Sequence, residues 1–135
     1  MKSVQKLILM IVGTVFLFAC NSNQPESNIN LDNGQKWTVN SEMTPHIEKA
    51  SDLLKAFISE QDNDYLTLAE NIKNQNNALI KSCTMKGKSH DELHKWLHPH
   101  IELINDLSNA ENFNDAQIIV SKLEKSFETY KTHFQ

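Results

Sequence analysis

From Met43 to Phe134 the apolar residues recur at alternating spacings of four and three, interrupted only by short polar breaks. Such a chain can bury its apolar side chains only by coiling into helices that each present one apolar seam, so the pattern restricts the fold to packed helices. The first seam is Met43, Ile47, Ala50, Leu54 and Phe57, with Pro45 in the first turn, where a missing N–H costs little. The second is Tyr65, Ala69, Ile72, Asn76, Leu79 and Cys83, capped by Asp62 or Asn63 and ended by Gly87 in the left-handed conformation. The third is Leu93, Leu97, His100, Ile104 and Leu107, with Ile101 beside it and a capping box from Ser89 to Glu92. Pro99 lies inside that third helix and is expected to kink or split it. The fourth is Ala116, Val120, Leu123, Phe127, Tyr130 and Phe134, with Asn114 as cap and Phe113 stapled to Ile118.

Four amphipathic helices near 41–59, 63–84, 89–109 and 114–134, joined by short loops and without strand signals, predict an all-α, up-down-up-down four-helix bundle over residues 37–135. Asn76 reads as a polar residue that sets the register of its seam.

The N-terminus carries a different message. Lys2 and Lys6 precede an apolar run from Leu7 to Phe18, and Ala19-Cys20 follows. The run is short for a membrane span and has the flanks of a signal peptide. Leu17-Phe18-Ala19-Cys20 resembles a lipobox, which makes residues 1–19 a lipoprotein signal and Cys20 the acylated mature N-terminus. Acyl chains such as palmitate bury methylenes at about 0.8 kcal/mol each, so several together hold a domain to a membrane. The expected location is the cell envelope, facing the periplasm. Residues 20–36, rich in Asn, Ser, Gln, Pro, Asp and Gly, read as a lipidated flexible tether, with Trp37 and Val39 as an apolar lead-in to the first helix.

Removing the signal takes two of the 13 basic residues, all lysines, and none of the 17 acidic ones, leaving a net charge of −6. Without arginine or a basic patch, nucleic acid is a poor partner. Cys20 is committed to lipid, so Cys83 stands alone and no intramolecular disulfide is expected. Phosphate loops, nucleophile elbows and zinc-protease helices are all missing from the sequence, and the reading is not an enzyme.

In an up-down-up-down bundle the start of the first helix, the end of the second, the start of the third and the end of the fourth share one end. Met43, Cys83, Met85, His90, His94 and Tyr130 are expected there, with Lys131 and His133. His90 and His94 are one turn apart and can share a ligand. Thiolate, thioether and imidazole make a soft donor set suited to Cu(I) and tolerable for zinc. The expected metal ligands are therefore Met43, Cys83 and His90, completed by Met85 or His94, with metal sequestration or delivery as the function. His46, His98 and His133 are expected at the surface, and His100 in the core.

From about Val39 to the C-terminus, and most strongly from Lys122-Leu123 through Tyr130 to Phe134, the chain resembles the cytochrome b562 and cytochrome c′ group of periplasmic bundles. That resemblance implies haem at the same bundle end, with Met43 as one axial ligand. Lys131 stands where the family's histidine would be, so a second ligand would come from His90 or His94, with Tyr130 alongside. The Cys-x-x-Cys-His attachment motif is absent. The segment Cys83-x-Met85-x-Gly87-x-x-His90-x-x-x-His94 is also similar to one in small envelope proteins of Bacteroidota. A haem-binding or electron-transfer bundle is thus the first alternative, and a structural or interaction lipoprotein without cofactor the second.

Overall fold

The computed structural model describes residues 28–135. The signal, Cys20 and tether residues 21–27 lie outside the described residues. Four helices follow in order: α1 Thr44–Ser59, α2 Tyr65–Ser82, α3 Gly87–Ser108 and α4 Phe113–His133. Sequential helices pack on one another and α4 returns to α1, giving the up-down-up-down bundle. The described residues contain no strand, only two isolated bridges. No helix among them is long and apolar enough to cross a membrane.

Each seam faces inward. Met43, Ile47, Ala50, Leu54 and Phe57 of the first are buried, as are Ala116, Val120, Leu123, Phe127, Tyr130 and Phe134 of the last. Asn76 is also buried, and its Nδ2 has no hydrogen-bond partner among the described residues. Trp96, which the four-three spacing of its helix passes over, is enclosed too, with its indole N–H donating to the Ser126 carbonyl at 2.8 Å.

The helix ends depart from expectation. Asp64, rather than Asp62 or Asn63, caps α2 by accepting from the Thr67 N–H at 3.1 Å. Asn112, rather than Asn114, caps α4 by accepting from the Asp115 N–H at 3.0 Å. Phe113 leans on Tyr65, with ring centroids 6.5 Å apart, and both Phe113 and Ile118 are exposed, so no buried staple forms. Gly87 is left-handed (φ +68°), but it opens α3; α2 has already ended at Ser82. The Ser89–Glu92 capping box does not form, because Glu92 is turned to another use described below. Pro45 sits in the first turn of α1, and α3 runs unbroken through Pro99.

The segment before α1 is where the fold differs most from a tethered bundle. Trp37 donates its backbone N–H to the His133 carbonyl at 2.8 Å and accepts from the Gln135 N–H at 2.9 Å. This short parallel bridge carries the N-terminal segment beside the chain's own C-terminus. Upstream, Asp32 and Gln35 close a turn, and Ile29 buries its side chain. Glu92 accepts from the Asn30 N–H at 2.9 Å and from the Lys95 ammonium at 2.7 Å, while Lys95 also donates to the Asn28 carbonyl. Residues 28–39 therefore form a strap docked across the start of α3 and the end of α4. The flexible tether expected over 20–36 is corrected over its last part: from Asn28 onward it is packed, because Ile29 and Trp37 supply apolar anchors and Glu92 supplies an acceptor.

Candidate metal centre

Four chain segments meet at the strap end of the bundle. Asn40 ties the start of α1 to the end of α2, donating from Nδ2 to the Ser82 carbonyl at 3.0 Å and accepting from the Thr84 N–H at 3.1 Å. Trp37 ties the strap to the end of α4, and the Lys88 ammonium of α3 lies over its indole, 5.5 Å from the ring centroid. The sequence-derived convergence of helix ends is therefore present, and the side chains within it divide into two groups.

The first group belongs to the core. Met43 has no exposed surface. Its sulfur is enclosed by the packed seams, so no ion arriving from solvent reaches it without local opening. Tyr130 stacks on Phe134, with centroids 5.3 Å apart and planes at 20°, and lies 4.9 Å from Trp96. Burial, with Glu48 nearby, pushes the Tyr130 hydroxyl up to about 12. With Met43 sealed and Tyr130 locked in an aromatic stack, the residues present do not fit an axially held haem at this end. Beside Tyr130 a cleft of about 510 Å³ opens between α1 and α4, lined by Ile47 and Phe127 among others, and neither Met43 nor a histidine lines it.

The second group faces outward along α3. His90 and His94 are half-exposed, and His98, one further turn along, is exposed. His90 Nε2 lies 3.1 Å from His94 Nε2, and His94 Nδ1 lies 2.9 Å from His98 Nε2. The centroids step by 4.4 Å and 4.9 Å along the helix. Spacings of four place all three on one side of α3, because each step of four advances only about 40° around the helix. Burial, followed by the charges that its neighbours His90 and His98 would carry, holds the His94 imidazole below its usual range, which favours its neutral form. The Asp91 carboxylate stands 3.9 Å from His90 Nδ1.

Cys83 and Met85 lie between these groups. Both are half-buried in the α2–α3 loop and pack against the core cluster. Among the described residues, no three His, Cys, Asp or Glu side chains surround a common point in the manner of a preformed metal cage. What the α3 face offers is a pair: two imidazole Nε2 atoms one turn apart, at a separation that two ligands of one ion can adopt. His46 hydrogen-bonds Gln75 and His133 bonds the Thr129 carbonyl, so both are engaged elsewhere. The spacing of four that pairs His90 with His94 continues to His98, which the sequence reading places at the surface and outside the site. No protein-family model, curated protein or solved structure matches the chain.

Proposed function

We propose that this chain is a cell-envelope lipoprotein whose bundle holds a copper or zinc ion on α3, with His90 and His94 as the chelating pair. The observation that carries this reading is the 3.1 Å separation of the two Nε2 atoms. Imidazole suits zinc and copper alike, and an incomplete protein shell leaves positions open to water or to a second donor. Met85 and Cys83, in the loop that leads into α3, are the soft donors that would complete the shell for Cu(I). Met43 is left to the core. An ion held by two imidazoles at a solvent-facing site can be gained and given up by ligand exchange, which suits sequestration or delivery better than catalysis. Envelope attachment is supported by Lys2, Lys6, the Leu7–Phe18 run and Ala19-Cys20.

Titration of the mature domain with Zn(II), and with Cu(I) under reducing conditions, tests this. One saturable ion per chain is expected. His90→Ala or His94→Ala should weaken it about a hundredfold or more, at or beyond the top of the range for loss of an outer-sphere partner. Met43→Leu should bind as the parent does. If Cys83 completes the Cu(I) shell, Cys83→Ser weakens Cu(I) and spares Zn(II). Equal affinity in the parent and in both histidine variants sinks the proposal.

A further inference from the structure

Resting on that reading, we infer that His98 is a positioning residue of the metal centre: its Nε2 accepts the Nδ1–H of His94 and so holds His94 as an Nε2 ligand. A neutral imidazole has one N–H and one lone pair, on different nitrogens. If His94 gives its Nε2 lone pair to an ion, its proton must sit on Nδ1 and needs an acceptor. The structure provides one at 2.9 Å, the Nε2 of His98. His90 has a carboxylate, Asp91, 3.9 Å from its Nδ1, too far for a hydrogen bond. His94 alone of the pair thus has an acceptor in place behind it, the arrangement that fixes tautomer and ring orientation in metal-bound histidines.

Without an ion the two short contacts form a single directed chain. Either each ring donates toward His98 or each donates toward His90, because His94 can donate from only one of its nitrogens. Ion binding at both Nε2 atoms ends either state, since each puts a proton between them. Each neutral ligand ring then carries its single proton on Nδ1, exchanged through solvent, and for His94 that fixes the donor direction toward His98. His98 is exposed and makes no core contact, so replacing it leaves the bundle intact. Its effect on the site runs through His94 alone.

Zn(II) titration of the mature domain separates the possibilities. His98→Ala should keep one ion per chain but bind about tenfold more weakly, as loss of an outer partner does. His98→Gln, whose side-chain carbonyl can accept the same proton, should recover most of that loss. Long-range imidazole nitrogen NMR of the zinc-bound parent should show His94 protonated on Nδ1 with Nε2 shifted by the ion. Parent-like affinity in His98→Ala, or a zinc-bound His94 protonated on Nε2, overturns the inference while leaving the His90–His94 chelate standing. A lower ion count in His98→Ala also overturns it, since His98 would then be a ligand. Failure of the parent to bind zinc removes the chelate and this role together.

Discussion

As the pH falls from 6.5 towards 3, the bundle is expected to lose about 1.4 kcal/mol of folding stability per unit through His100 alone. The ring has no exposed surface. It stacks on Trp96 at 4.7 Å and 26°, meets Phe127 edge-on at 4.7 Å, and shares a hydrogen bond with the Ser126 hydroxyl through Nδ1 at 2.8 Å. Among the described residues Nε2 has no hydrogen-bond partner, so none of them compensates a charge there. Burial therefore pushes its pKa down to about 3. In the unfolded chain an ordinary histidine titrates near 6.5. Between those values the unfolded chain takes up a proton that the folded chain refuses, so acid favours unfolding. The neutral ring's contribution is complete above pH 6.5 and declines as the pH drops toward 3. Urea unfolding at pH 6.5 and 5.0 isolates the effect before most carboxylates protonate. The parent should lose about 2 kcal/mol more than His100→Leu over that interval. Equal losses would mean that His100 is accessible to protons in the folded state.

The second large effect concerns the strap. Trp37→Ala is expected to cost about 3–5 kcal/mol, the usual range for truncating a buried tryptophan. Trp37 is only 6% exposed. Its indole N–H donates to the Asn30 carbonyl, and its ring carries the Lys88 ammonium. Ile29 and the Asn30–Glu92 contact depend on the same docking, so the whole of 28–36 should come loose with it. Urea unfolding reads the stability, and limited proteolysis reads the release, with new cleavage expected between Asn28 and Val39. A cost under about 0.5 kcal/mol, typical of surface substitutions, would show that the strap contributes nothing to the core.

These two residues mark how far the sequence could be read. His100 lies on the third seam by simple periodicity, and its burial followed from that. The four seams were legible because each helix repeats the same spacing several times, so one irregular position does not obscure the pattern. The caps were not, because the polar breaks offer several equivalent residues: Asp62, Asn63 and Asp64 before α2, and Asn112, Asn114 and Asp115 around the start of α4. Which one accepts a backbone N–H depends on where the first turn closes, a choice within one or two residues. Glu92 satisfied a local capping pattern but is claimed by Asn30, 62 residues earlier in the chain. The strap upstream of Trp37 carries little local signal. Ile29 and Leu31 are the apolar residues of a polar run and only Ile29 is buried, while Trp37 pairs with Phe134, nearly a hundred residues away. His90 and His94 follow from their spacing of four, and the burial of Met43 follows from its place on the first seam; that this burial also closes its sulfur to solvent is visible only in the packed bundle.

Burial of Met43 and exposure of the α3 histidines make the His90–His94 pair the centre of the account. The most direct measurement is the ¹⁵N imidazole spectrum of the mature domain during addition of Zn(II), which reports each ring nitrogen separately. The expected result is a stoichiometric shift of His90 Nε2 and His94 Nε2, complete at one ion per chain, with His46, His100 and His133 unmoved. Shifts confined to other histidines, or none that saturate, would contradict a metal centre on α3.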